Sequence, residues 1–318
     1  MRPICLLSAL LFVTAASLPA RPPGQTATPR AVAVTFDDLP ATAAGVVRND
    51  PASLEALTRK LLGAVRKHKV PAVGFVNEGS LFVDGERPVD ATRRIGLLEM
   101  WAEAGLELGN HTYSHADLNK VPLEQFQADV LRGEKVTREV LKKAGRTLRY
   151  FRHPFLHTGD ELRKRRAFEA FLTTHGYVVA PVTVDTDDFV YAAAYSRALR
   201  AGDVAHAARI LDDYRRYMNE VFTYFEGVSR RVTGRDISHI VLLHANALNA
   251  DGFATLADDL VRRGYRFVPI AEALEDPVYT SPDDFVGAPG NSWFNHWAIT
   301  AGGKPVPTPA PPSWIKAP

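Results

Sequence analysis

The chain has 318 residues, 46% of them hydrophobic and 23% charged, with a formal net charge of only +2. Such a chain is globular and long enough to bury a core without disulfide staples, and nothing in its near-neutral balance argues for a nucleic-acid partner, where a strongly basic face would be expected. Its single cysteine, Cys5, lies in an N-terminal apolar run, so a mature chain offers no disulfide, no cysteine metal site and no thiol nucleophile.

In chain order, Arg2, the apolar run Ile4 to Ala16 and the small residues Ala15, Ala16, Ser17 and Ala20 form the tripartite pattern of a secretory signal peptide. The run is too short to span a bilayer comfortably. Residues 1–20 are therefore assigned to a signal peptide and residues 21–30, rich in Pro, Thr and Arg, to a linker. The expected location is exported, periplasmic or secreted, with no membrane span in the mature chain.

Ala31 to Phe36 predicts a short strand running into two aspartates. Ser53 to His68 predicts a helix, with Leu54, Leu57, Leu61, Leu62 and Val65 at helical spacing and Ser53 as its candidate cap. Ala72 to Val76 is a second strand, Arg93 to Ala104 a second helix stopped by Gly105, and Leu106 to Leu108 a third strand. Leu123 to Lys143 reads as one long helix. Tyr150-Phe151 starts a fourth strand, followed by a helix over Glu161 to Thr174 and a strand over Tyr177 to Val184. The 44 residues from Tyr191 to Gly234 read as two helices broken near Gly202 and Asp203. Ile240 to Leu243 is a strand, Phe253 to Arg263 a helix and Arg266 to Val268 a last strand. About seven strand–helix units in this order predict an α/β fold with a parallel sheet closed into a barrel. An open doubly wound sheet is the alternative, and no Gly-rich fingerprint follows the first strand to support a dinucleotide site. The barrel is assigned to residues 31–274, with a helical insertion at 191–234. The Pro/Gly/Trp-rich tail, 275–318, is expected to wrap the barrel surface, its end from Lys304 partly disordered.

Five polar clusters carry the candidate chemistry. His111 and His115, at i and i+4, face the same way if the segment turns helically, and neutral imidazole is a common zinc ligand. Asp37-Asp38 would repel if buried without a cation. As strand neighbours they point to opposite sides, so one can bind metal while the other faces a reacting water. Arg152, at a strand end, can clamp a carboxylate with a two-pronged bond, and Pro154 leaves the next N–H, of Phe155, free to point at a ligand. Asp185-Thr186-Asp187-Asp188-Phe189 is a loop cluster, and His244 ends the apolar Leu242-Leu243. Singly, each could be an ordinary turn, a solvated loop or a core histidine. Together they sit at the C-terminal ends of five predicted strands, which in a parallel barrel share one face.

The stretches Thr35-Phe36-Asp37-Asp38, His111-Thr112-Tyr113-Ser114-His115, Arg152-His153-Pro154-Phe155, Asp185 to Phe189 and Leu242-Leu243-His244, in this order, resemble the polysaccharide deacetylase family (NodB homology, carbohydrate esterase family 4). The resemblance implies an irregular (β/α) barrel with about seven parallel strands; the helical stretch Tyr191 to Gly234, before the last catalytic strand, is longer than the family pattern leads one to expect. It implies a hydrolase that removes N- or O-linked acetyl groups from a carbohydrate such as a cell-wall polysaccharide or oligosaccharide. One divalent metal ion is implied, Zn2+ first and Co2+, Mn2+ or Ni2+ as other options, held by Asp38, His111 and His115. Asp37 would be the general base, His244 the general acid, Arg152 the partner of Asp37 and Asp188 the partner of His244. The Phe155 N–H would help stabilise the oxyanion, Leu242 would line the acetyl pocket, and Phe189 would contact substrate. The partner is an acetylated carbohydrate and no nucleic acid.

Leu39 stands where the family usually has Gly, Leu156 where a Gly often follows the third motif's aromatic, and Phe189 where Trp is usual. The insertion at 191–234 could cover the site. His153 and His157 are candidates to line the groove, whereas His68, His175, His206, His239 and His296 read as structural. Arg163-Lys164-Arg165-Arg166 reads as a solvated helix face, and Trp293, Trp297 and Trp314 as packing residues. Two other functions stay open: amide hydrolysis on a small non-sugar substrate by the same metal centre, and a non-catalytic glycan-binding barrel.

Overall fold

The computed structural model describes residues 30–83, 87–287 and 292–316. The expected signal peptide and nearly all of the expected linker lie outside the described residues. Seven strands, all pairing in parallel, form the sheet: β1 (Arg30–Leu39), β2 (Val73–Val76), β3 (Glu107–Asn110), β4 (Tyr150–Phe151), β5 (Val178–Val179), β6 (His239–His244) and β7 (Tyr265–Phe267). Their order is β5-β4-β3-β2-β1-β6, and β7 pairs with the first residues of β1. The expected single strand over 177–184 is interrupted. Residues 178–179 pair with β4, Pro181 follows, and Val184 then bridges to Val241 on β6. One stretch of chain thus joins the two edges of the sheet, and the architecture is an irregular (β/α) barrel rather than an open doubly wound sheet.

The helices are α1 (Pro51–Lys67), α2 (Pro88–Glu103), α3 (Leu123–Arg132), α4 (Lys135–Lys143), α5 (Leu162–Thr174), α6 (Asp188–Arg200), α7 (Val204–Thr233), α8 (Ala247–Arg262), α9 (Ile270–Ala273), α10 (Trp293–Thr300) and α11 (Ser313–Lys316). The cap of α1 is Asp50, not Ser53: with Pro51 opening the helix, the Asp50 carboxylate accepts from Ser53 N at 3.0 Å. β1 is buried along nearly its whole length, and Phe36 meets Trp101 of α2 and Phe253 of α8 edge-on at 5.8 and 5.2 Å. None of the helices among the described residues is long and apolar enough to cross a membrane.

Four expectations need correction. The long helix at 123–143 is two, because Gly133 lies against the backbone of Thr112 and Tyr113, where any Cβ would collide. Arg165 is buried rather than solvated: it pairs with Glu169 at 2.9 Å and Asp283 at 2.7 Å and donates to the Phe285 carbonyl, fastening the tail to α5. The Pro-rich end is pinned through Pro309, since Tyr224 and Tyr217 of α7 donate to the carbonyls of Pro307 and Pro309, each at 2.7 Å. The insertion breaks at Gly202-Asp203 as the pattern predicts, but it packs outside, α6 and α7 against α8. None of residues 191–234 lines the cavity described next.

Candidate active site

The five polar clusters do converge. A cavity of about 430 Å³ is lined by Asp37, Asp38, Thr42, His111, His115, His153, Phe155, Leu156, His157, Asp185, Asp187, Phe189, Leu242 and His244. It lies where β1, β3, β4 and β6 end, the face at which a parallel barrel gathers its loops.

β1 does not alternate through its last residues. Its register with β2 slips between Phe36 and Leu39, and Asp38 takes a left-handed φ of 64°. Asp37 and Asp38 therefore line the same cavity, where regular strand geometry would have sent them to opposite sides. The Asp37 backbone is fixed by register with His244 and by Ala245 N donating to its carbonyl at 3.0 Å. Leu39 fits because Gly74 leaves room: a Cβ there would stand 2.5 Å from the Leu39 side chain.

The histidine pair is not helical either. Thr112 and His115 have φ of 65° and 57°, and this irregular turn, not an α-helical face, brings the rings to 4.9 Å between centroids. α3 holds the turn from outside. Tyr113 N donates to the Asp129 carbonyl at 3.2 Å, and Ser114 N and Oγ donate to the Asp129 carboxylate, each at 3.0 Å. His111 Nδ1–H donates to the Arg152 carbonyl at 2.9 Å, which turns Nε2 toward the aspartates. The Nε2 atoms of His111 and His115 each lie 3.6 Å from Asp38 Oδ1.

Asp38, His111 and His115 offer one ligand atom each, all within 4.8 Å of one another. Two ligands about 2.0–2.2 Å from one tetrahedral ion stand roughly 3.4 Å apart, so the spacing fits a shared cation. The donor atoms fit as well. Asp38 Oδ1 and Asp37 Oδ1 are buried without a hydrogen-bond partner. Burial, then the neighbouring His115, push the His111 pKa down to about 3, which keeps the imidazole neutral and able to ligate.

Arg152 is fully buried, 3.7 Å from Asp37 Oδ2. The contact is single and long rather than two-pronged. The guanidinium instead donates to Thr35 Oγ1 at 2.9 Å and lies over the Phe75 ring, 4.8 Å from its centroid. Burial raises the Asp37 pKa, opposed chiefly by Arg152.

On the far side of Asp37, His244 Nδ1–H donates to Asp188 Oδ1 at 2.6 Å, while the other carboxylate oxygen accepts from His244 N, Asn249 Nδ2 and Asn246 Nδ2 at 2.9, 2.6 and 3.2 Å. Burial alone would lower the His244 pKa. Asp188, and then Asp38 and Asp37, outweigh it and raise it to about 10. The two asparagines were not legible as site residues; their only sequence signal is position at the N-terminus of the helix after His244, where Asn246 caps α8.

The remaining walls are Leu242, buried, and two half-exposed rings. Phe155 is 50% exposed, its ring 4.4 Å from His115, and Phe189 is 48% exposed, 5.9 Å from His244. Phe155 and Leu156 both have φ of 56°, so Leu156 occupies the left-handed conformation that glycine adopts freely. His153 and His157 line the cavity, as do Asp185 and Asp187, to which no role attached from sequence. Burial and the adjacent Asp187 raise the Asp185 pKa to about 7.

A family model described as polysaccharide deacetylase matches residues 24–169. The peptidoglycan-N-acetylglucosamine deacetylase of Bacillus cereus is 28% identical over 158 residues, covering 50% of this chain and 46% of that protein, so the chain spans about half the length of the curated relative it matches. Among solved structures, a family 4 acetyl xylan esterase from Clostridium thermocellum in complex with a cobalt ion gives a TM-score of 0.47 at 20% identity, over 77% of this chain and 91% of that one. A family 4 pseudoenzyme from Bacillus anthracis gives 0.47 at 17%, over 77% and 66%. Residues 24–169, just under half of the chain, are thus similar to the polysaccharide deacetylase family.

Proposed function

We propose that the chain is a metal-dependent hydrolase that removes acetyl groups, N- or O-linked, from a carbohydrate. The observation that carries this reading is the convergence of Asp38, His111 and His115 within 4.8 Å beside a buried carboxylate, Asp37, and a hydrogen-bonded His244–Asp188 pair. A metal alone would suit a binding protein, which needs neither a base nor an acid.

The geometry and the charges support the roles that the resemblance implies. Asp38, His111 and His115 would hold a divalent cation, zinc being the best match to two imidazoles and a carboxylate, and the bound ion would supply Lewis-acid polarisation of the acetyl carbonyl and a more acidic water, with pKa toward about 7. Asp37, kept from full ionic pairing by the long contact to Arg152, takes a proton from the attacking water. The Phe155 N–H helps carry the negative charge on the former carbonyl oxygen. His244, raised to about 10 by Asp188, is protonated at neutral pH and gives its proton to the departing amine or alcohol oxygen. Leu242 holds the acetyl methyl, and Phe189 and Phe155 contact the sugar.

The test is acetate release by the purified protein from acetylated chitooligosaccharides, xylan and peptidoglycan, with metal content measured on the same sample. Zinc bound with acetate released from any of these glycans supports the reading. Zinc bound with acetate from none turns it toward a small amide substrate, and neither metal nor acetate turns it toward a glycan-binding barrel.

A further inference from the structure

One side-chain pair in the cavity wall has no part in the chemistry above. His157 Nδ1–H donates to Asp117 Oδ1 at 2.7 Å. Asp117 lies two residues after His115, and His157 two residues after Phe155, so this bond joins the loop after β3 to the loop after β4. Asp117 is itself held in place: the same oxygen accepts from Asn119 N at 2.9 Å, and Lys120 Nζ lies 3.3 Å from the other.

With Nδ1 engaged, the nitrogen that His157 has left for the cavity it lines is Nε2. That atom has no partner among the described residues and is not shut off from solvent. A carboxylate can only accept, so Asp117 fixes the proton on Nδ1 and makes Nε2 of the neutral ring an acceptor. Beside it stands the half-exposed Phe155 ring, 5.7 Å away between centroids with the planes inclined by 36°. A half-exposed aromatic ring, with Lys120 Nζ over it at 5.9 Å from the centroid, next to a free acceptor suits a pyranose, whose C–H face lies on the ring while a hydroxyl at its edge donates to the nitrogen.

Resting on the hydrolase reading above, we propose that His157, oriented by Asp117, accepts a hydrogen bond from a hydroxyl of the sugar seated on Phe155, and so makes the site prefer a glycan to a small acetylated compound. Joining the two loops would by itself explain the Asp117 bond. It would not explain why a ring that lines the cavity keeps its second nitrogen without a partner.

The two uses of the ring can be separated by substitution. An asparagine amide places its N–H near the position of Nδ1, and a glutamine amide reaches the position of Nε2. H157N keeps the tie to Asp117 and removes the cavity group, and H157Q does the reverse. The measurement is kcat/KM for an acetylated chitooligosaccharide and for 4-nitrophenyl acetate, with metal content and Tm for each protein. In H157N the ratio of the two kcat/KM values falls about tenfold through KM on the oligosaccharide, the size of one lost hydrogen bond, and in H157Q most of it returns. An unchanged ratio in H157N, or losses that track Tm or metal content in both variants, overturns the proposal and leaves His157 a loop tie. Wild-type protein that cleaves the aryl acetate but not the oligosaccharide overturns it too. Wild-type protein that binds metal and cleaves neither overturns the hydrolase reading, and this inference with it.

Discussion

His244 Nδ1 and Asp188 Oδ1, 56 positions apart in the chain, stand 2.6 Å from each other at the cavity edge, with Asp188 fully buried. Burial acts to lower the His244 pKa, and Asp188 reverses the sign, lifting it to about 10. Because the folded value lies above the ordinary 6.5, the pair's contribution to stability is complete below about pH 6.5 and is lost as pH rises through 10. In metal-free protein, the Tm difference between wild type and His244→Gln should therefore be largest near pH 6 and shrink toward pH 10. Thermal melts of the two proteins across that range check it; a difference that grows with pH rejects the assignment.

Asp188→Asn removes the carboxylate but leaves an amide of the same shape. The acid limb of activity should move accordingly, the alkaline fall in kcat shifting from near pH 10 toward lower pH. A pH–rate profile on any accepted acetylated substrate reads this directly.

Asp37 and Asp38 are neighbours with separate assignments. Asp37→Asn should bind metal at wild-type stoichiometry and lose at least about 100-fold in turnover, the usual scale for a missing general base. Asp38→Asn and His111→Ala should lose the metal as well. Elemental analysis beside acetate release separates the two outcomes, and near-normal turnover by Asp37→Asn removes it as the base.

Gly133 lets the Thr112–Tyr113 backbone pass through the gap between α3 and α4, where a Cβ would collide with Tyr113 N. Gly133→Ala should cost about 1–3 kcal/mol through overpacking and weaken metal binding by displacing the His111–His115 turn. Denaturant melts and metal titration test both parts, and a neutral effect on each would show that the turn is held by Asp129 alone.

Arg165→Ala should destabilise by about 1–3 kcal/mol, because it leaves Asp283, 12% exposed, with His296 and the Phe285 N–H as its remaining partners. The loss should be much smaller in Arg165→Ala combined with Asp283→Ala. Chemical denaturation of the single and double variants measures it.

Periodicity in the sequence located most of the strands and helices, and the polar clusters at strand ends located the cavity, because both follow from local pattern and from the common direction of parallel strands. What the pattern could not carry is contact between distant segments. The break at Gly133 depends on a loop some twenty residues upstream. Arg165 reads as one charge in a solvated run until Asp283 and Phe285 arrive from the tail. Asn246 and Asn249 look like ordinary helix-start residues until Asp188 is placed beside them. The shared orientation of Asp37 and Asp38, and of His111 and His115, rests on backbone angles outside regular strand and helix geometry, which strand alternation and i, i+4 helical spacing cannot express.

Those angles carry a consequence of their own. Among the described residues, Lys69 alone of the left-handed non-glycine positions lies away from the site; the others are Asp38, Thr112, His115, Phe155, Leu156 and Asp187. Each is disfavoured by about 1–2 kcal/mol for an L-residue, so the rim keeps its shape because its surroundings impose it. An incoming ligand meets a preorganised mouth and has little left to rearrange. The same rim should be the first part to open on weak perturbation, with amides of the 111–115 and 153–157 loops exchanging well before those of β1 and β6.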